Sequence, residues 1–167
     1  MRIAYITADG RGETDRLIAE AAATLEAEGF LLNGIVKVLQ DQPAGSHHCD
    51  MDVRVLADNR TIRITQSLGA GSEGCRLNPE AIAEAVAAVD QASVNEADAF
   101  ILNKFGPEEA EGRGFRAAIA AALEQDIPVL VGLGGGEASR KGFAEFVGDM
   151  AETLPADPDA ILTWVRG

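Results

Sequence analysis

Short apolar runs and stretches of helical period alternate along this chain, and that alternation constrains the fold more than any other feature. The sharpest case is residues 99–123, AFILNKFGPEEAEGRGFRAAIAAAL. An apolar run ends abruptly in Asn103-Lys104, a Gly-Pro turn and a cluster of acids follow, and Gly112-Arg113-Gly114 opens an Ala-rich helix. Open α/β sheets build their sites in this way, because the crevice lies beyond the carboxyl ends of the strands.

The same rhythm runs through the rest of the chain. Arg2–Thr7 reads as a buried first strand, and the segment from Glu13 carries Leu17, Ile18, Ala21, Ala22 and Leu25 on one helical face before stopping at Gly29. A strand returns over Phe30–Leu39, and a polar loop follows over 40–50. Two alternating segments, MDVRVLA and RTIRITQ, flank Asp58-Asn59 and predict a β-hairpin, since Asn and Asp tolerate the left-handed conformations of tight turns. Asn78-Pro79 predicts a helix start, with Asn as N-cap and Pro in the first turn. Ala99–Leu102 is the central strand, Gly114–Gln125 a helix, and Ile127–Leu133 another buried strand. Gly134-Gly135-Gly136 breaks the chain before a helix around Lys141–Ala151, and Asp157-Pro158 starts a last helix through Trp164. Strands alternating with helices predict a mostly parallel sheet covered on both faces, with the hairpin as an antiparallel excursion at one edge. The whole chain, 1–167, reads as one three-layer α/β domain.

Composition narrows the partners. Twenty-seven acids against 14 bases give a formal charge of -13, a surface that repels phosphate backbones and anionic membranes. Nucleic acid and membrane are therefore not expected as partners. No apolar run approaches the roughly 20 residues that span a bilayer, and the N-terminus enters a strand at once without a leader. The expectation is a cytoplasmic protein, in which Cys49 and Cys75 are thiols by default. A homodimer is compatible with the chain.

The first loop, Ala8–Asp15, joins a strand to a helix and invites comparison with phosphate loops, where helix N-terminal amides receive an anion. A P-loop requires G-x-x-x-x-G-K-[ST]. With Gly12 as the second glycine, Thr7 stands at the first, Glu13 at the lysine, and Thr14 at the hydroxyl position. Either Gly10 and Gly12 simply make a tight turn, or they cradle an anion with Thr14.

Two other constellations carry chemistry. Cys49 and Cys75, with His48 and the neighbouring His47 and Asp50, offer soft metal ligands, although their spacing matches no standard zinc pattern. Ordinary thiols in solvated loops, or a redox or disulfide role, are the alternatives. Arg76, Lys104 and Arg113 each lie at or near the end of an element. In so acidic a chain they pair either with Glu108, Glu109 and Glu111 or with an external oxyanion, for which Arg supplies a bidentate fork and Lys a point charge.

The words from Asp98 through Leu123, closing with Ile127–Val131, resemble P-loop nucleoside triphosphatases of the cancer-related type. In those proteins an apolar strand ends in Asp-Glu, followed by Ile-Gly-Pro and a helix. Here Asn103-Lys104 replaces Asp-Glu and Glu13 replaces the lysine, so the resemblance implies the fold with its phosphate-transfer machinery changed. A second resemblance spans nearly the whole chain, to the bacterial family labelled domain of unknown function 2478. It is carried by Cys49-Asp50-Met51, by Gln66–Gly69 with Gly74–Leu77, and by Asn103–Gly106 with Glu109–Gly114. That resemblance implies a link to molybdate or its cofactor.

Together these readings predict a P-loop-like fold and a non-catalytic binding protein for a small anion or nucleotide-like ligand. The expected ligand-binding residues are Gly10, Gly12, Thr14, Arg76, Asn103, Lys104, Glu109 and Arg113, and the expected metal ligands are Cys49, Cys75 and His48. Two competing readings are a divergent NTPase or kinase with magnesium-dependent phosphoryl transfer, and an acidic regulatory protein acting through a protein partner. No cofactor is named by the sequence.

Overall fold

The structure is a computed structural model and describes residues 1–39, 51–66, 76–92 and 96–167. Strand β1 (Ile3–Ile6) leads into helix α1 (Glu13–Ala27), and β2 (Leu32–Lys37) follows. The hairpin is β3 (Asp52–Val55) and β4 (Thr61–Arg63). A separate two-stranded ribbon pairs β5 (Thr65–Gln66) with β6 (Arg76–Leu77). Helix α2 (Pro79–Gln91), strand β7 (Ala99–Phe105), the single turn α3 (Pro107–Ala110) and helix α4 (Arg116–Glu124) come next. The chain closes with β8 (Val129–Leu133), α5 (Glu137–Val147), β9 (Ala151–Thr153) and α6 (Pro158–Arg166).

The seven-stranded sheet has the order β4-β3-β2-β7-β8-β1-β9, with β7 in the middle. Strands β2, β7, β8, β1 and β9 run parallel, and β3 and β4 form the antiparallel edge. Buried side chains alternate between two layers, as the period of a strand requires. Ile6, Ile101 and Leu130 face α1 and α6. Ile3, Phe100, Leu102 and Val129 face α2, α4 and α5. The fold is therefore the three-layer α/β domain expected, with its hairpin at one edge.

Local chemistry accounts for the boundaries. Asn59 has φ 60, the left-handed turn residue of the hairpin, and the Asn78 side chain accepts from the Glu80 and Ala81 amides to cap α2. Three features depart from expectation. Strand β7 continues past Leu102 through Asn103, Lys104 and Phe105, with Asn103 and Phe105 buried and Lys104 exposed. The Gly-Pro turn goes on into α3. The helix expected through Ala151 ends at Val147, and Ala151 opens β9 beside β1 instead. Gly148, at φ 56, terminates that helix.

Candidate functional site

The site is built at the carboxyl ends of β1, β7 and β8. After Ile6, the Thr7 hydroxyl donates to the Leu133 carbonyl at 3.2 Å, tying the departing chain to the end of β8. The Ala8 amide donates to the Thr14 hydroxyl at 3.0 Å and closes the loop onto the first turn of α1. Gly10 (φ 99) and Gly12 (φ 79) supply the left-handed conformations that this tight path needs. Gly12 is the N-cap of α1, so no side chain caps the helix start. A helix start leaves N–H groups unpaired and carries partial positive charge.

That start opens on a cleft of about 310 Å³. One wall is the loop with Gly10, Gly12, Thr14 and Asp15; facing it are Lys104, the Gly134-Gly135 turn and Arg140 of α5. Lys104 lies across Gly134 so closely that a Cβ there would sit 2.7 Å from its Cε. Both cations are exposed, and among the described residues neither forms an ion pair.

The carboxylates nearby are mostly engaged. Asp15 Oδ1 accepts from Asn103 Nδ2 at 2.9 Å and its Oδ2 lies 3.5 Å from Lys37 Nζ. Buried Asn103 also accepts from the Lys37 amide at 2.9 Å, so it pins the first turn of α1 to the end of β2. Glu13, at the position of a P-loop lysine, pairs with Arg16 at 2.9 Å. The Arg16 hydrogen bond and its charge hold the Glu13 carboxyl below the usual carboxylate range, and Glu13 in turn raises Arg16.

Of the residues expected from sequence, Gly10, Gly12, Thr14 and Lys104 share the cleft, and Asn103 stands directly behind it through Asp15. Three others do not line it. Glu109 is buried, its Oε2 accepting from the Gly106 amide at 3.0 Å and its Oε1 from the Phe115 amide at 3.1 Å. It clasps the α3–α4 connection. Arg113 pairs with Glu108 at 2.9 Å and Glu111 at 2.6 Å, which raises its own affinity for the proton. It lines a different groove, with Leu77 and one side of α2. Carboxylates two and five residues away in sequence reach its guanidinium first. Arg76 opens β6, its backbone paired with Gln66, next in the chain to Leu77, which lines that second groove. Cys49, Cys75 and His48 lie outside the described residues, and among the described residues no cluster suited to a metal occurs. Arg140 was not singled out from the sequence; its signal is a cation one turn into the helix that follows a Gly-rich strand end.

Residues 3–164 match the family described as "Protein of unknown function (DUF2478)". The chain belongs to that family. It is 32% identical over 167 residues to the molybdenum import ATP-binding protein ModC 2 of Bradyrhizobium diazoefficiens, covering 99% of this chain and 18% of that protein. The chain thus spans less than a fifth of that relative's length. Two solved structures share the fold. One is a human cancer-related nucleoside triphosphatase, with TM-score 0.61, 16% identity, and 98% of this chain and 94% of that one covered. The other is THEP1 from the hyperthermophile Aquifex aeolicus, with TM-score 0.64, 14% identity, and 98% and 95% covered. The family member described here is P-loop-NTPase-like in fold, and Glu13 stands where the P-loop pattern has its lysine.

Magnesium, which P-loop chemistry ordinarily uses, requires a Ser/Thr hydroxyl and a strand-end acid. Thr14 is present, but its oxygen accepts the Ala8 amide, Asp15 is held by Asn103 and Lys37, and Asn103-Lys104 replaces the acids. Asp9 alone among the carboxylates lining the cleft has no partner in the described residues. One exposed carboxylate beside two cations is a donor set that does not fit a divalent metal.

Proposed function

We propose that this protein is a non-catalytic binding protein for a small oxyanion, held in the cleft at the start of α1 without a divalent metal. Phosphate and molybdate are the chemical types it suits. The carrying observation is that Lys104 and Arg140, free of ion pairs among the described residues, face an uncapped helix start in a chain of formal charge -13. Arg140 offers a planar fork of donors, Lys104 a mobile point charge, and the loop its backbone amides. Gly10, Gly12 and Thr14 shape the cradle, while Asn103 positions α1 from behind. The molybdenum import role in the printed name of the relative supports molybdate as one such ligand.

A gross attraction of about 4 kcal/mol per cation at 4 Å and an effective dielectric near 20 is reduced by desolvation and screening. Each cation then contributes roughly 1.4 kcal/mol, or about tenfold in affinity. Calorimetric titration of the wild type with molybdate and with phosphate, with and without magnesium, tests this. The expected result is magnesium-independent binding, weakened about tenfold by Lys104→Ala and again by Arg140→Ala. Absence of binding to either anion, or binding indifferent to both substitutions, overturns the proposal.

Turnover of a nucleoside triphosphate is the competing reading, favoured by the shared fold. It requires magnesium-dependent hydrolysis that Lys104→Ala abolishes. An acidic scaffold without a small-molecule ligand is the third, and it requires a protein partner and silence in every titration.

A further inference from the structure

Two carboxylates line the anion cleft, Asp9 and Asp15. Asp15 is occupied by Asn103 and Lys37. Asp9 has no hydrogen bond or ion pair among the described residues, although Lys104 and Arg140 line the same space of about 310 Å³. Opposite charges that line one cleft without meeting stand apart across it. A ligand that joins them must accept from the two cations and donate to the carboxylate, because an ionised carboxylate only accepts.

The backbone fixes Asp9 from both sides. The Ala8 amide before it donates to Thr14 Oγ1 at 3.0 Å, and the Gly10 carbonyl after it accepts from the Glu13 amide at 3.4 Å. Asp9 therefore stands on a loop tied to the first turn of α1 at both neighbours. Arg16, the cation of that first turn, does not recruit it, because Glu13 and Glu20 already hold the guanidinium.

Tetrahedral oxyanions divide on the demand that Asp9 makes. At about pH 8 phosphate and arsenate are chiefly dianions that keep one O–H, whereas sulfate and molybdate are dianions with none, and the dianion of a phosphate monoester has an ester where the O–H would be. Beside Asp9 an O–H forms a charge-assisted hydrogen bond, while a bare oxygen meets a second negative charge.

We infer that Asp9 determines specificity, making the cleft a site for a free, singly protonated oxyanion such as hydrogenphosphate in preference to molybdate, sulfate or a phosphate ester. This rests on the oxyanion reading above and narrows it. Lys104 and Arg140 supply the attraction common to all these anions, and Asp9 sorts them by the proton they carry.

Calorimetric affinities of phosphate, arsenate, sulfate, molybdate and methyl phosphate, all at about pH 8 and equal ionic strength, test it. Phosphate and arsenate are expected to bind about tenfold more tightly than the other three. Arsenate separates the proton from size, since it is larger than phosphate and still protonated. Asp9→Asn removes the charge and supplies an NH2 group that donates to a bare oxygen, so the phosphate-to-sulfate ratio is expected to fall to within about twofold. Both anions carry the same charge, so a change in the field of the cleft alone leaves that ratio where it was. Sulfate binding by the variant, expected to be at least as tight as in the wild type, shows that it is folded. If any of the three unprotonated anions binds the wild type as tightly as phosphate, or if Asp9→Asn keeps the ratio, the inference falls and the oxyanion reading stands. If none of the five anions binds, both fall together.

Discussion

Glu109 is the residue for which sequence and structure suggest the most different roles, and replacing it separates them. As a ligand group, its loss would alter binding and leave folding alone. The structure gives it two buried acceptor duties, toward the Gly106 and Phe115 amides at 3.0 and 3.1 Å. A net hydrogen bond to a charged group contributes about 1.5–3 kcal/mol, and a buried amide left without an acceptor loses the full desolvation term. Taking the lower figure for each, Glu109→Ala destabilises the fold by about 3 kcal/mol. For a chain of this length, at about 2–4 °C per kcal/mol, the melting temperature drops by roughly 9 °C. Glu109→Gln keeps one acceptor oxygen but turns an NH2 group toward the second amide, so it falls between the two at about 2 kcal/mol. Urea denaturation of the wild type and both variants reads the ordering directly. Phosphate affinity of Glu109→Gln, measured well below its melting temperature, is expected to match the wild type. A loss under 1 kcal/mol for Glu109→Ala, or a change in affinity with unchanged stability, refutes the clasp.

Three further outcomes follow from other parts of the site. Gly132→Ala puts a methyl group 2.1 Å from the Asn103 carbonyl and 3.1 Å from Thr14 Cγ2; it is expected to cost about 3 kcal/mol by overpacking, read as a lower urea midpoint. Asn103→Asp would restore an acid at the end of β7 but place it 2.9 Å from Asp15. Like charges at that distance oppose each other, and the loss of the Asn103 donor adds to the penalty, so the variant is expected to be less stable at pH 7 and to regain stability on acidification as one carboxyl takes up a proton. The wild type behaves oppositely in acid. Arg113 hydrogen-bonds to Glu108, Arg16 to Glu13, and Arg166 to Glu28, each holding its carboxyl below the ordinary 4.5. The stability from a depressed carboxyl is fully present above its unfolded value and is lost as the pH falls through its folded value. Melting temperature is therefore expected to be level near neutrality and to fall below pH 4.5, more steeply at low salt.

Much of the fold was legible because local and global signals agree. The Asp58-Asn59 turn, the Asn78 cap and the apolar face of α1 each have one low-energy solution, and the sheet order realises them together. Strand β9 was not legible: three residues, none fully buried, carry no periodicity, and the strand exists because β1 offers it a parallel edge. The site divides in the same way. The strand-loop-helix around Gly10 and Gly12 and the Lys104 strand end point to one crevice from sequence alone. An acid that caps amides and an acid that binds a ligand look identical as letters, so Glu109 and the partners of Arg113 required the structure. Arg140 reaches the cleft only because the turn after β8 brings α5 back beside the first loop.

The most direct test of the central claim is an amide correlation spectrum of the 15N-labelled protein, titrated with phosphate and with molybdate in the absence of magnesium. The account predicts saturable shifts concentrated on the amides of Gly10, Gly12, Thr14, Gly134 and Gly135, strongly reduced when Lys104 and Arg140 are both replaced by Ala. Shifts centred on Arg113 and Leu77 instead, or a spectrum that does not move with either anion, would contradict it.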